Sequence, residues 1–178
     1  MNTELEVKIL EIDPQEFALA LEKAGATKVA ATSLQKRYVY DVVPPRSSAW
    51  IRLRDNGRKI TLTVKEILSD EIDGTKEIEI EVDSLDQANA LLEFLGFKAR
   101  AYQENRRTSY KLGNVEIEID EWPHIPAYAE VEGPDEDSIK NVVESLGYSM
   151  DKVTSENTEK IYAKYGLDIH SYSELKFD

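Results

Sequence analysis

Residues 77–81 read Glu77-Ile78-Glu79-Ile80-Glu81, so charged and apolar side chains alternate along the chain. In a strand, successive side chains point to opposite faces, which gives this segment one acidic face and one apolar face. The alternation recurs with both signs of charge in residues 4–8 (ELEVK), 52–54 (RLR), 61–65 (TLTVK), 116–120 (EIEID) and 130–132 (EVE). These six segments predict a largely β protein in which several strands contribute to one charged face.

Four segments between these strands have apolar residues at helical spacing. They lie at residues 13–25, 84–96, 135–147 and 155–166, and each stops at a glycine, which is typical of a helix C-terminus. The apolar faces of the strands, including Ile78 and Ile80, need a cover, and we expect these helices to supply it.

The charged face can lie in solvent or inside the protein. The simpler alternative is an antiparallel sheet with its apolar face on a core and its charged face in water. However, carboxylates repeated at every second position repel each other unless cations or metals offset the repulsion. A closed sheet of about eight strands leaves room inside for side chains or one small ligand. We therefore predict an α+β fold in which the sheet curls into a β tunnel with a charged interior and amphipathic helices packed outside.

Composition narrows the classes of partner. The chain has 178 residues, which predicts a single domain over 1–178. Its formal net charge of −13 argues against nucleic acid as a partner, because phosphate-backbone binding needs a basic surface. The absence of cysteine excludes disulfides and thiolate chemistry. No signal peptide or membrane span is readable, so we expect a cytoplasmic protein.

The mixed charges indicate a particular chemistry. Carboxylates from different strands can hold Mg²⁺ or Mn²⁺, hard ions that prefer oxygen ligands. Arginine and lysine in the same cavity can hold phosphate oxygens. The sequence contains no Gly-x-x-x-x-Gly-Lys and no Gly-x-Gly-x-x-Gly motif, so side chains would have to bind any triphosphate.

The opening Glu4-x-Glu6-x-Lys8 resembles the signature of the CYTH superfamily, also called triphosphate tunnel metalloenzymes. The family includes class IV adenylyl cyclases, thiamine triphosphatases and inorganic triphosphatases. The motifs that follow keep the family's order: Arg52-x-Arg54, Leu62-Thr63-Val64-Lys65, Lys76-Glu77-Ile78-Glu79, Arg107-Thr108-Ser109-Tyr110, Val115 to Asp120-Glu121, and Ala129-Glu130-Val131-Glu132-Gly133. The resemblance covers essentially the whole chain and implies an eight-stranded antiparallel β tunnel (a closed barrel) with helices outside.

The resemblance implies roles for ten residues. Glu4, Glu6, Glu130 and Glu132 would face Mg²⁺ or Mn²⁺, with Asp120 contributing. Lys8, Arg52, Arg54, Lys65 and Arg107 would bind the substrate phosphates. Lys8 and Glu6 are the expected catalytic residues; Lys8 could help to deprotonate the nucleophile if cationic neighbours lowered its pKa against the pull of Glu6. The implied partner is a small-molecule triphosphate, and the resemblance also allows a homodimer.

One position departs from the family pattern. Many members carry lysine two residues before the arginine that matches Arg107, whereas this chain has Asn105. Either Arg106 is recruited by a local bulge, or the tunnel has one cation fewer.

The expected function is metal-dependent hydrolysis of a linear triphosphate, either inorganic or an organic one such as a nucleotide. The alternative is a class IV-type adenylyl cyclase that converts ATP to cyclic AMP and pyrophosphate. A module that binds polyphosphate or a nucleotide without turnover is the alternative that is not an enzyme.

Overall fold

The computed structural model describes residues 2–178 as ten strands, four α-helices and two short 3₁₀ helices. The strands are β1 (Asn2–Glu4), β2 (Glu6–Ile9), β3 (Thr27–Arg46), β4 (Ala49–Asp55), β5 (Ile60–Ile67), β6 (Thr75–Val82), β7 (Ala99–Leu112), β8 (Val115–Glu121), β9 (Tyr128–Glu132) and β10 (Glu174–Leu175). The α-helices are α1 (Pro14–Lys23), α2 (Leu85–Phe94), α3 (Glu136–Ser145) and α4 (Thr158–Lys164), and the 3₁₀ helices are Met150–Lys152 and Ile169–Ser171. All four predicted helices are therefore present, and the six charged segments fall in strands apart from Leu5, which lies between β1 and β2.

The strands form one large sheet with the order β1-β6-β5-β4-β3-β7-β8-β9-β2. Its pairs along this path are antiparallel, and the two-residue β10 adds a parallel pair with β7. The described residues form ten strands, because the N-terminal strand is divided at Leu5 and β10 is an addition, so the closed eight-stranded barrel stays a prediction. β1 pairs with β6 at one end of the path and β2 pairs with β9 at the other, with no hydrogen-bonded ladder between β1 and β2 across residues 2–178.

The register gathers the charged side chains on one face. Glu6 lies opposite Glu132, Lys8 lies opposite Glu130, and Arg107 on β7 lies opposite a carboxylate of β8. Residues directly opposite each other in an antiparallel pair point to the same side of the sheet. The predicted division into a charged face and an apolar face is confirmed.

Helices α1 and α3 cover the apolar face of β2, β8 and β9. Phe17 of α1 and Ile139 of α3 pack in one buried cluster with Val7, Ile117 and Val131. The ends of α1 explain its bounds: Asp13 accepts hydrogen bonds from the first turn, and Gly25 follows the helix with a positive φ of 88°.

Helix α2 covers the apolar side of β3–β5 but stops short of β6. Leu92 is buried against this part of the sheet, and Tyr40 of β3 donates a hydrogen bond to Asn89 (2.5 Å). Ile78 and Ile80 on β6 remain 53% and 55% exposed. The expectation that helices cover these two residues is wrong, because the ten-residue helix that lies over β3–β5 does not reach the middle of β6.

Helix α4 occupies a different place from the other three. Its buried Ile161 and Tyr162 pack with Trp122 and Tyr128. Tyr128 lies opposite Asp120 in the sheet and therefore belongs to the charged face, so α4 packs on that face. The prediction that all the helices pack outside is therefore wrong for α4, which covers part of the charged cavity. Among residues 2–178, none of the helices is both long and apolar enough to cross a membrane.

Candidate functional site: a charged cavity on the inner face of the sheet

The charged face lines a cavity of about 400 Å³. Nine of the ten residues that the sequence predicts for the site line it: Glu4, Glu6, Lys8, Arg52, Arg54, Lys65, Arg107, Glu130 and Glu132. Asp120 is the exception, since it lies behind the lining with its side chain 1% exposed. Positions spread from residue 4 to residue 132 are thus brought into one polar space.

Lys8 lies between two carboxylates at the junction of β2 and β9. It is 1% exposed, and its Nζ is 2.7 Å from Glu6 Oε1 and 3.3 Å from Glu130 Oε1. Burial alone lowers the pKa of Lys8, but the two carboxylates outweigh it and raise the pKa above its ordinary value. Lys8 is therefore a fixed positive charge, and its pKa shifts in the opposite direction to the one that a general base requires.

A second lysine, Lys65, pairs with carboxylates of β1 and β6, at the opposite end of the sheet from β2 and β9. Lys65 Nζ is 2.6 Å from Glu4 Oε2 and 3.4 Å from Glu77 Oε2. Because Glu4 belongs to β1 and Glu77 to β6, this lysine reinforces the pairing of these two strands. Burial raises the pKa of Glu4, with Lys65 opposing the shift and Glu77 adding to it.

The remaining carboxylates have too little positive charge around them. Burial raises the pKa of Glu132 to about 7, and the neighbouring carboxylates of Glu4, Glu6 and Glu130 add to the shift. Burial and Glu130 also raise the pKa of Glu6. A metal ion would therefore be favourable here, and an all-oxygen donor set suits Mg²⁺ or Mn²⁺.

These carboxylates are held apart by cations. In the part of the chain that the structure describes, no three aspartate, glutamate or histidine side chains are close enough together to form a ready-made metal site. Lys8 and Lys65 lie between them, so binding of a divalent ion requires some of these side chains to move. The carboxylate oxygens, and the shortage of positive charge around them, suit a hard cation.

Arg107 is held in place by three acidic side chains. Its Nε and Nη2 donate to Asp120 at 2.7 and 2.5 Å, Nη2 also donates to Glu130 at 2.7 Å, and Nη1 pairs with Glu118. Asp120 additionally accepts a hydrogen bond from Asn105 Nδ2 at 2.8 Å. Asp120 therefore uses its oxygens on Arg107 and Asn105 in this structure, and its role as a metal ligand stays a prediction.

The opposite part of the cavity is rich in guanidinium groups. Glu79 Oε2 lies 3.7 Å from Nη2 of both Arg52 and Arg54 and accepts a hydrogen bond from Thr63 (2.8 Å). The Arg52 charge and burial lower the pKa of Arg54 to about 9, with Arg107 adding to the shift. This pKa shift means that the local positive charge exceeds what Glu79 neutralises.

Among the lining residues that the sequence patterns did not predict, Arg37 is a buried cation. It lies on β3 directly opposite Arg54, is 6% exposed, and donates to the Asn105 side chain. Arg37 is flanked by Lys36 and Tyr38, so its segment lacks the alternation of charged and apolar residues seen in the other strands. Its position on the charged face therefore follows only from the pairing of β3 with β7. Arg106 points away, with its guanidinium carbon 4.1 Å from the Phe177 ring centroid, so a bulge does not recruit it.

The C-terminal elements complete one side of the cavity. Thr158, Glu159, Ile169 and His170 contribute to the lining, and Tyr162 donates a hydrogen bond to the Pro123 carbonyl at 2.7 Å. An antiparallel sheet with a charged, partly covered cavity on its inner face thus defines the structural class of this protein.

The CYTH domain family model matches residues 2–159, and the chain belongs to this family. Members of the family are enzymes that include triphosphatases and adenylyl cyclases and generally depend on divalent metals. No curated protein matches the chain in a sequence comparison.

Solved structures share the fold. PH1012 from Pyrococcus horikoshii OT3 is 25% identical with a TM-score of 0.74, and the match covers 86% of this chain and 96% of that one. A candidate adenylate cyclase from Vibrio parahaemolyticus is 16% identical with a TM-score of 0.72, covering 91% and 98%. HpAC1 from Hippeastrum, a candidate adenylyl cyclase with a dominant triphosphatase activity, is 16% identical with a TM-score of 0.61, covering 97% and 100%.

Proposed function

We propose that this protein catalyses the metal-dependent hydrolysis of a linear triphosphate. The observation that carries the proposal is the division of one cavity into two parts. One part holds the carboxylates of Glu4, Glu6, Glu130 and Glu132 with two lysines, and the other holds guanidinium groups with little counter-charge. A polyphosphate chain that reaches a divalent ion at one end and arginines at the other complements both parts.

In this proposal the cationic side chains bind the phosphates and the carboxylates bind the metal ion. Lys8, Lys65 and Arg107 neutralise phosphate oxygens, and Arg107 is oriented for this by Asp120. Glu6 fixes Lys8 and, with Glu4, Glu130 and Glu132, would hold Mg²⁺ or Mn²⁺. When bound, the ion supplies positive charge to the phosphates and lowers the pKa of a bound water.

We further propose that the sheet functions as a closed eight-stranded tunnel. Counting β1 and β2 as one strand and leaving out β10 gives eight strands, and this N-terminal strand pairs with β6 and with β9. The interruption is the single residue Leu5, next to which Glu6 N donates to the Ile72 carbonyl (3.3 Å). Hydrogen exchange tests closure: slow exchange of the Thr3 and Val7 amides supports it, whereas fast exchange in either half of the strand would contradict it.

A class IV-type adenylyl cyclase is the competing activity. It would need an aromatic or apolar surface for the adenine next to the phosphates. Trp122 has Arg37 stacked 4.7 Å above its ring and packs with Tyr162, whereas Trp50, which lies opposite Lys65 on the same strand as Arg52, also lines the cavity and is the candidate surface for a base.

Product analysis separates the activities. Purified protein is incubated with ATP, and separately with inorganic triphosphate, in Mg²⁺ or Mn²⁺ with EDTA controls. Orthophosphate released in a metal-dependent manner, and fastest from inorganic triphosphate, supports the hydrolase. Cyclic AMP with pyrophosphate would replace the proposal by the cyclase, and binding of triphosphate without any product would replace it by the binding module.

The expectations of a homodimer, of a cytoplasmic location and of no nucleic-acid partner stay predictions. The net charge of −13 supports the last of these, since the cavity cations are enclosed and are not arranged as an outer basic surface.

A further inference from the structure

Three arginines face one another in the cavity with little acidic compensation. Arg37 of β3 lies opposite Arg54 of β4, and Arg52 lies one inward-facing position further along β4. Among the described residues, Glu79 is the carboxylate that pairs with Arg52 and Arg54, and no carboxylate forms an ion pair with Arg37. The buried Nε atoms of all three arginines lack a hydrogen-bond partner within residues 2–178.

This arrangement costs free energy in the absence of a ligand. Arg37 is 94% buried by area, and burial together with Arg52, Arg54 and Arg107 lowers its pKa well below the ordinary value. Like charges that are held close together inside a protein repel, and buried donors without a partner lose their hydration. An anion that accepts hydrogen bonds from the guanidinium groups removes both penalties.

Two neutral side chains hold the Arg37 guanidinium in position. Asn105 accepts a hydrogen bond from Arg37 Nη2, and its own amide nitrogen donates to Asp120 at 2.8 Å. Because Asp120 can only accept from it, this second bond turns the Asn105 oxygen towards Arg37. The Trp122 ring supports the other side of the guanidinium. Arg37 is thus oriented without being neutralised.

We propose that Arg37 joins Arg52 and Arg54 in a subsite for the doubly charged terminal phosphate of the substrate, with Asn105 as the positioning residue that orients Arg37. Arg52 and Arg54 share the Glu79 carboxylate, which also pairs with Lys59, and Arg37 has no carboxylate partner among the described residues, so the three guanidinium groups keep at least about two positive charges. A terminal phosphate carries two negative charges and a bridging phosphate carries one, so the terminal group matches better. Arg37 thereby supplies from β3 the cation that position 105 of β7 does not supply. The assignment rests on the proposed triphosphate substrate.

The test is the binding of inorganic tripolyphosphate in EDTA, measured by isothermal titration calorimetry, which needs no turnover. Arg37→Gln is expected to bind roughly 10- to 100-fold more weakly than the wild type, the usual range for losing hydrogen bonds to a charged group. The double variant Arg37→Gln/Asn105→Lys returns a cation to the same space from the facing strand and is expected to recover most of the affinity. Arg46→Gln, which breaks an exposed pair with Glu66, is the control and should bind like the wild type.

Thermal unfolding of the ligand-free proteins separates ligand binding from support of the fold. Removing a charge that neighbouring arginines repel should leave the melting temperature of Arg37→Gln equal to or above that of the wild type. A lower melting temperature together with no recovery in the double variant would mark Arg37 as structural and overturn the proposal. Unchanged affinity of Arg37→Gln, or no binding by the wild type, would also overturn it. If Arg37→Gln does not fold, Arg37→Lys is used, and it should retain part of the affinity.

A substrate change tests the charge argument directly. ATP and its γ-phosphate methyl ester differ by one negative charge on the terminal phosphate. The ester should bind the wild type more weakly than ATP does, and this difference should shrink in Arg37→Gln; an equal difference in both proteins would contradict the subsite. Product analysis is independent: a wild type that binds without hydrolysis refutes the hydrolase alone, whereas hydrolysis with normal binding by Arg37→Gln refutes the subsite alone.

Discussion

Replacing Asp120 with asparagine tests whether this carboxylate is an ion-pair partner or a metal ligand. Asp120 accepts hydrogen bonds from Arg107 Nε and Nη2 at 2.7 and 2.5 Å and from Asn105 Nδ2 at 2.8 Å, and its side chain is 1% exposed. Asparagine has nearly the same shape and keeps one acceptor oxygen. It removes the negative charge and presents an amide donor where an acceptor is needed, so the contact with Arg107 is broken with little change in packing.

The size of the effect follows from the partners that remain. Removing one member of a buried ion pair costs about 3–5 kcal/mol, because the other charge stays buried and unpaired. Arg107 keeps Glu130 at 2.7 Å and its pair with Glu118, so the lower end of this range applies. We expect Asp120→Asn to lose about 3 kcal/mol of the free energy of unfolding, or roughly 6–12 °C in melting temperature for a chain of this size.

The assay is urea unfolding of the metal-free protein, together with a Mg²⁺ titration of triphosphate hydrolysis. Asp41→Asn is the matched control, since Asp41 forms an aspartate–arginine pair with Arg100 at 2.9 Å on the surface, where it is 55% exposed. That control should lose less than about 1 kcal/mol. Asp120→Asn should have a lower turnover rate, because Arg107 is misoriented, with an unchanged Mg²⁺ requirement.

The opposite pattern would refute this reasoning. If Asp120→Asn were as stable as the wild type within about 0.5 kcal/mol, the three contacts would not support the fold. If the Mg²⁺ concentration for half-maximal activity also rose by about tenfold or more, Asp120 would act on the metal, as the family resemblance implied.

Three further changes have expected results. Lys8→Met leaves two buried carboxylates facing each other, so it should lose about 3 kcal/mol in urea unfolding and at least roughly 100-fold in turnover. The pKa of Glu132 is raised to about 7, so the folded state binds a proton more tightly than the unfolded chain and this carboxyl costs stability as the pH rises from about 5 to about 8. In EDTA, Glu132→Gln should therefore gain melting temperature relative to the wild type over that range, and Mg²⁺ should reduce the gain. Tyr162→Phe leaves the Pro123 carbonyl without its donor and should lower the free energy of unfolding by about 1–2 kcal/mol, measured from the urea midpoint.

Controls on the exposed surface accompany these variants. Arg46→Met removes a surface cation, and Tyr165→Phe removes a hydroxyl that donates to Glu11 at 3.2 Å on the exposed side of the molecule. Both should stay close to the wild type. An active and stable Lys8→Met protein, a Glu132→Gln difference that does not vary with pH, or a Tyr162→Phe protein as stable as its Tyr165→Phe control would each contradict the corresponding argument.

Short-range patterns were sufficient to predict most of the fold. Alternation of charged and apolar residues located the six charged strands, because a strand repeats every two residues regardless of its partners. Glycine after each apolar stripe located the helix ends, since Gly25, Gly96, Gly147 and Gly166 all adopt the positive φ that a C-cap requires. The same pattern could not show how far α2 reaches, and Ile78 and Ile80 stayed exposed.

Pairwise chemistry across strands could not be predicted in this way. The sequence pattern predicts that Asp120 lies on the charged face. That its oxygens accept hydrogen bonds from Arg107 and Asn105 follows only from the register of β8 with β7. Arg37 lies in a segment without alternation of charged and apolar residues, and its role depends on the residues that lie opposite it on β4 and β7. The side chains of the candidate site were thus predictable as a set, whereas their partners depend on the three-dimensional arrangement.

The divided N-terminal strand also affects when activity can arise as the chain folds. Glu4 contacts Lys65 of β5 through β1, and Lys8 contacts Glu130 of β9 through β2, about 120 residues further along the chain. Residues 2–9 therefore have no complete set of partners until residues 128–132 have been synthesised. Contacts of such long range form slowly, because the loop they close is costly in entropy. Recovery of activity after dilution from denaturant should accordingly lag behind recovery of helix, since the cavity is complete only when this strand has joined both ends of the sheet.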